Sequence, residues 1–225
     1  MKLAISGTYS TGKTTTTLAL SYLTGIPRTH AKTMREILPE ALPGKKLEEC
    51  SPAELFQLGM RRYAERAVHE SHLPNGFISD GSSIHEWVYG KVRVNVGINP
   101  SKATGLLKEK SEEMKFFEEV MDNMGAVMKQ HAKRTYDEFI HLPVEFPLVE
   151  DGHRPVSEFF RKLSDELLIK TLNELGIEYH IVSGTIKERL IKILDIYKFK
   201  TVMDIDEAIK LAISETSKMQ TAIEA

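Results

Sequence analysis

GTYSTGKTTTT, residues 7 to 17, is the stretch whose reading decides the fold. Four threonines after Gly12-Lys13 are an odd way to begin a helix, because β-branching and a competing hydroxyl both make threonine a mediocre helix former. Gly7 through Thr14 fits G-x-x-x-x-G-K-[ST] without a gap. The context fits too. Lys2 to Ser6 is a short apolar run suited to a central parallel strand, and Leu18, Ala19, Tyr22 and Leu23 recur at helical spacing. In such a strand, loop and helix, the glycines let the backbone wrap a phosphate whose charge is met by amide N–H groups and the helix dipole. The nucleotide-binding candidates are Gly7, Ser10, Thr11, Gly12, Lys13, Thr14 and Thr15. Lys13 supplies a cation for the β and γ phosphates, Thr14 a hydroxyl for Mg²⁺, and Thr15 lies within reach of the α phosphate. Thr16 and Thr17 read as ordinary first-turn residues.

Working outward, Ile26 to His30 reads as a second, short strand, followed by a helical stretch with Met34, Ile37 and Leu38 that Pro39 and Pro43 break. Ser51-Pro52-Ala53-Glu54 is a capping box that opens a long helix. Phe77 to Asp80 is a strand ending on a carboxylate, and residues 101 to 133 are helical in pattern. Phe139 to Leu142 is the next strand, Pro155 starts a helix that runs to Gly176, and Glu178 to Ser183 is the last strand. Thr185 to Glu188 is a second capping box, and Asp204 to Glu207 opens the terminal helix. Strands alternating with helices predict one α/β domain over residues 1–225, with a mostly parallel sheet of about five strands.

The totals exclude several classes. Thirty basic against 32 acidic side chains give a formal charge of −2, without the basic excess of a nucleic-acid binder. Cys50 stands alone, so no intramolecular disulfide framework is expected, and the residue reads as a small apolar side chain in a reducing cytoplasm. No apolar run approaches the roughly 20 residues that span a bilayer, and the first residues do not resemble a signal peptide. The expectation is a soluble cytoplasmic protein that binds neither nucleic acid nor membrane.

A phosphate loop alone does not choose the reaction. Asp80, at the edge of the sheet where α/β sites form, can orient Mg²⁺ or accept a proton from an attacking hydroxyl, or else simply cap the following helix. No N-K-x-D motif reads guanine, and no D-x-x-G follows a strand in the place a regulatory GTPase requires. Asp151-Gly152-His153-Arg154 lies in a proline-bounded segment, about 145–162, that reads as a lid. Arg154, with Arg161 about two turns on, would close over the γ phosphate. His85, Glu86 and Trp87 follow Asp80 closely, and Trp87 or Tyr89 would stack on a flat acceptor unless packed in the core. Residues 85–133 form the acceptor-side helical region. His30, His131 and His141 lack ligand spacing and read as structural.

The phosphate loop, the "MREIL" helix after the second strand, "EDGHR" after the fourth and "GTIKERL" after the fifth together resemble the P-loop kinase domain of nicotinamide riboside kinase and its AAA-annotated relatives. The resemblance runs over nearly the whole chain. It implies a five-stranded sheet of order 2-3-1-4-5 and an ATP-Mg²⁺ donor. In its terms Lys13 and Thr14 take the phosphate and metal roles, Arg35 and Glu36 face the acceptor, Arg154 belongs to the lid and Arg189 lies beside the adenine. "SDGSSIHEW" and "VYGKVRVNVGINPSKATG" depart from the family in substrate-facing regions, so nicotinamide riboside itself does not follow.

The sequence therefore reads as an ATP- and Mg²⁺-dependent kinase that phosphorylates a hydroxyl of a nucleoside-like acceptor. Its catalytic candidates are Lys13, Asp80 and Arg154, its acceptor candidates Arg35, Glu36, Asp80 and Trp87, and its metal candidates Thr14 and Asp80. Two alternatives stay open. One is a nucleoside monophosphate kinase, whose phosphate-bearing acceptor would call on Arg61, Arg62, Arg66 and Arg93. The other is a nucleotide-binding switch or ATPase acting through protein partners. ATP against GTP as donor, and a homo-oligomer against a monomer, are open as well.

Overall fold

The computed structural model describes residues 1–148 and 156–224. Five parallel strands form one sheet in the order β2-β3-β1-β4-β5, with β1 at Lys2–Ser6, β2 at Arg28–Thr29, β3 at Phe77–Asp80, β4 at Glu138–His141 and β5 at Tyr179–Ile181. Strand number, direction and order are those expected. In the register, Ile5 stands opposite Asp80, Ser6 opposite His141 and Arg28 opposite Ile78. Eight α-helices flank the sheet among the described residues: α1 Lys13–Thr24, α2 Met34–Ala41, α3 Pro52–Ser71, α4 Ser83–Val96, α5 Glu112–Thr135, α6 Glu158–Leu175, α7 Ile186–Tyr197 and α8 Ile205–Glu224. None of them is long and apolar enough to cross a membrane.

Successive side chains leave a strand on opposite faces, and the core divides accordingly. Leu3, Ile5, Ile78 and Ile140 share one face with Leu20 and Leu23 of α1, Leu190 and Ile193 of α7 and Ala208 of α8. Ala4, Phe77 and Phe139 share the other with Trp87 and Val88 of α4, Met121 of α5 and Phe160 of α6. Burial on both faces is why the strands read as continuous apolar runs. The same parity sends Asp80, two residues beyond Ile78, toward the α1 side, and Ser79 toward α3 and α4.

The helix starts follow their capping sequences. Ser51 accepts a hydrogen bond from the Glu54 amide at 3.3 Å while the Glu54 carboxylate accepts from the Ser51 amide at 2.8 Å. Thr185 and Glu188 repeat the device, and the Asp204 carboxylate accepts from the amides of Asp206 and Glu207. Three expectations are corrected. The helical pattern over 101–133 is broken: the chain makes a 3₁₀ turn at Pro100–Lys102, and α5 begins only after Ser111, whose hydroxyl accepts from the Met114 amide at 3.2 Å. The fourth-strand crossover helix starts at Glu158, where Ser157 accepts from the Phe160 amide, and the expected starter Pro155 lies outside the described residues. Pro39 does not end α2, which continues to Ala41. One missing helical hydrogen bond is tolerated there because Ile37 and Leu38 are anchored against Cys50, Leu55 and Leu58.

Helices α4 and α5 approach closely through glycine. A Cβ on Gly125 would stand 2.5 Å from Trp87 Nε1 and 2.8 Å from its Cδ1. Gly125→Ala must push a rigid indole, and we expect it to destabilise the protein by about 1–3 kcal/mol, the usual cost of overpacking a core. Urea unfolding measures this, and a stability equal to the parent would show that the two helices can part freely.

Candidate active site

The loop after β1 is shaped as an anion cradle. Gly7 has φ +135°, where a Cβ would stand 2.6 Å from the Leu142 carbonyl oxygen, and Gly12 has φ +82°. Between them Ser10 takes φ +58°. Left-handed residues set among right-handed ones turn successive amides to one side and create a concave nest. Gly12 is the N-cap of α1, which has no side-chain cap and no acidic residue in its first turn. Its leading amides therefore lack intrahelical acceptors and keep the positive end of the dipole exposed to the loop. Inside the loop, the Thr8 carbonyl accepts from the Thr11 hydroxyl at 3.0 Å and from Lys13 Nζ at 2.5 Å.

The four threonines have different fates. The Thr14 hydroxyl is turned to Asp80 and helps to hold that carboxyl ionised. Thr15 turns away from the expected phosphate position, its hydroxyl 3.4 Å from that of Thr216 on α8. Thr16 is fully buried, and Thr17 donates to the Lys13 carbonyl at 2.7 Å. One hydroxyl of the four faces the site; the others pack α1 into the protein.

Asp80 is the point where the loop meets the sheet edge. Its carboxylate accepts from Arg28 Nη2 at 2.9 Å. Burial opposes the charge, but the Arg28 and Lys13 cations, with hydrogen bonds from Arg28 and Thr14, outweigh it and hold the carboxyl below its usual range. Arg28 was missed in the sequence. It stands opposite Ile78, so it shares a sheet face with Asp80 one pleat further on. Only the register reveals that pairing.

Behind Asp80 lies a buried polar network. Arg66 donates to the Ser79 hydroxyl at 2.9 Å and to the Asp80 carbonyl at 3.1 Å. Glu70 accepts from the hydroxyls of Ser79, at 2.8 Å, and Tyr136, at 2.9 Å. Burial nevertheless pushes the Glu70 carboxyl up, against the opposing pull of Arg66 and these bonds. Arg62 pairs with Glu86 at 2.8 Å, and Glu86 lies 3.7 Å from Arg66.

The other candidates separate into those near the loop and those elsewhere. Trp87 does not offer its face to an acceptor: it is buried against Gly125 and covered by the Lys129 ammonium 4.0 Å from its ring centroid. Tyr89 packs at a tilt against Tyr9 of the phosphate loop, their ring centroids 4.6 Å apart, so it supports the loop. Glu36 spends its carboxylate on the Thr33 amide at 2.6 Å as the capping residue of α2, and Arg35, beside it on the first turn, is half-buried. Arg189 is buried and braces the loop, donating to the Thr11 carbonyl at 2.6 Å and to Glu145 at 2.9 Å. Arg161 is fully buried and donates to the Phe146 carbonyl at 2.7 Å, a fixed position in place of the expected closing motion over phosphate. Arg154 lies outside the described residues.

The donor set suits the cofactors expected. The nest is ringed by Lys13 and the α1 amides, and its first residue must be glycine, since a Cβ there would meet the Leu142 carbonyl and the Thr11 hydroxyl. Thr14 and the ionised Asp80 are two oxygen donors in contact. Among the described residues no cluster of three His, Cys, Asp or Glu could hold a metal alone. Thr14 and Asp80 could serve as two ligands of a Mg²⁺ ion that keeps several waters and takes others from substrate phosphates.

A family model described as an AAA domain matches residues 2–189. No curated protein matches the sequence. Among solved structures, the NadR protein in complex with NR superposes with a TM-score of 0.57 at 19% identity over 88% of this chain and 51% of that one. NadR in complex with NAD and AMP-PNP gives 0.54 at 17%, over 88% and 48%. Deoxyadenosine kinase from M. mycoides with bound dATP gives 0.65 at 16%, over 88% and 100%. The chain thus spans about half the length of the NadR chains and the full deoxyadenosine kinase. At these identities the likeness is one of fold, that of the P-loop kinases.

Arg28→Met should raise the pKa of the Asp80 carboxyl, because it removes the strongest of the influences that lower it. Asp80 contributes stability above its unfolded value near 3.8, and that contribution is lost as pH falls through the lower folded value. Without Arg28 the contribution is smaller and is gone at a higher pH. Carboxyl carbon shifts followed by NMR titration report this, and an Asp80 titration identical in the two proteins would remove Arg28 from the account.

Proposed function

The chain belongs to the AAA domain family, and from that membership and the geometry around Asp80 we propose that it is an ATP-dependent kinase acting on a hydroxyl of a small, nucleoside-like acceptor. The observation that carries the reading is the meeting of Lys13, Thr14 and an ionised Asp80 at the mouth of the phosphate nest. Bound MgATP supplies the transferable γ-phosphoryl group together with a cation that neutralises its oxygens. The chain's own residues bind and orient it. The nest amides and the start of α1 would hold the phosphates, Lys13 would supply a cation to their oxygens, and Thr14 and Asp80 would hold Mg²⁺. Arg154 is the proposed lid arginine.

The role of Asp80 can be narrowed. A general base works best with a pKa near the operating pH, and Asp80 is shifted the other way. This supports a carboxylate that would hold Mg²⁺ and accept a hydrogen bond from the acceptor hydroxyl, without storing its proton. Three of the four arginines that would receive a phosphate-bearing acceptor are already engaged, Arg62 and Arg66 with Glu86 and Arg93 with the Tyr89 carbonyl and the Phe160 ring, and the fourth, Arg61, is exposed on α3. That favours an uncharged alcohol over a nucleoside monophosphate.

Purified protein offered a panel of nucleosides, nucleotides and sugars with MgATP should release ADP above background with at least one nucleoside. ADP release that needs a protein partner and no small acceptor would replace the kinase with a switch. Lys13→Ala should abolish nearly all turnover, since the cation on the β and γ oxygens is lost while the fold is untouched. Asp80→Asn should retain ATP binding and lose roughly a hundredfold or more in kcat, the scale typical of a positioned catalytic group. Unchanged kcat with a lower melting temperature would make Asp80 a structural partner of Arg28 only.

A further inference from the structure

The loop carbonyls matter as much as its amides, because a carbonyl oxygen turned into the nest would repel a phosphate. Three of them are held by named donors. Thr8 takes the Thr11 hydroxyl and Lys13, and Thr11 takes Arg189. The third, at Gly7, lies 3.2 Å from Nε2 of His85, a buried residue on the first turn of α4 that the reaction does not otherwise use.

The tautomer of His85 follows from its neighbours. Its Nδ1 lies 3.0 Å from the Ser82 amide and 2.9 Å from the Ser82 hydroxyl. A nitrogen that accepts from a backbone amide carries no proton, so the hydrogen resides on Nε2 and is donated to the Gly7 carbonyl. Burial, with the Lys13, Arg66 and His141 side chains around it, keeps the ring neutral. The Ser6 hydroxyl lies 3.5 Å from His85 Nε2 and 3.4 Å from Nδ1 of His141, whose Nε2 is 3.3 Å from Asp165 on α6.

His85 thus stands in a capping box where glutamate or glutamine is usual. A carboxylate there could accept from the Ser82 amide but could not donate to Gly7. The imidazole does both. On one side it grips Ser82, two residues after Asp80; on the other it grips the first residue of the phosphate loop. The Gly81 amide adds a second tie from the same turn, donating to the Ile5 carbonyl at 3.0 Å.

We infer that His85 is a positioning residue for nucleotide binding: its Nε2–H holds the Gly7 carbonyl away from the nest and fixes the loop in register with the turn that carries Asp80. It touches no substrate and acts through Gly7. The inference rests on the phosphate-loop reading above and needs no particular acceptor.

The test compares two amides in the full chain. Asn in place of His85 reaches Ser82 but not Gly7, whereas Gln carries its amide to about the Nε2 position. Affinity for a fluorescent, non-hydrolysable ATP analogue with Mg²⁺ is measured beside the melting temperature. His85→Asn should bind about tenfold more weakly, the scale of one hydrogen bond lost with its carbonyl released, at a melting temperature close to the parent. His85→Gln should bind within about threefold of the parent. Parental affinity in His85→Asn, or equal weakening in both variants, overturns the inference and leaves His85 as a helix cap. A parent protein that does not bind the analogue sinks the phosphate-loop reading itself, and this inference with it.

Discussion

The pairing of Ile5 with Asp80 across β1 and β3 is the constraint on which the site depends. Because strand side chains alternate, this register places Asp80 on the α1 side of the sheet and Ser79 on the opposite side. A slip of one residue would exchange them. Asp80 would then take the place of Ser79, against the buried carboxylate of Glu70, and Ser79 would face Lys13. The register is held by burial: Phe77 and Ile78 are each fully buried, on different sides, and neither would find a polar face acceptable.

Placing an ionised carboxylate at a buried sheet edge has a cost that Arg28 and Lys13 offset. The same problem recurs one layer behind, where Arg66, Glu70 and Glu86 are all nearly inaccessible. Such groups persist only when each is paired or hydrogen-bonded, and removing one partner is more damaging than the net value of the pair suggests. Glu70 illustrates the balance. Three hydroxyls, of Thr29, Ser79 and Tyr136, and an arginine face it, yet burial still raises its pKa, whereas Asp80, with two cations close by, is lowered. The protein therefore keeps one carboxylate firmly charged at the mouth of the nest and another only reluctantly so in the interior.

The fold was legible because its signals are local. The phosphate loop is one unbroken run of residues, the capping boxes lie within four residues each, and strands buried on both faces announce themselves by apolar continuity. The site was legible only in part. Lys13, Thr14 and Asp80 come together as read, since a loop motif and a strand end fix them. Arg28 was missed because its partnership depends on a register between strands far apart in sequence. Trp87 and Thr15 were misassigned for a related reason: which side of a helix meets the crevice is set by the neighbours, α5 for one and α8 for the other, and no local pattern names the neighbour. The family resemblance implied Glu36 at the acceptor and Arg189 beside the adenine, whereas in the fold one caps its own helix and the other reaches the Thr11 carbonyl.

The contact between Thr15 and Thr216 joins residues 201 positions apart, and Tyr22 of the same helix bonds Glu215. The helix that follows the phosphate loop is thus covered by α8, an element far along the chain from it. Closing so long a loop is slow compared with forming local helix contacts. A chain that has formed β1, the loop and α1 consequently carries a complete phosphate motif before α8 has covered the helix behind it.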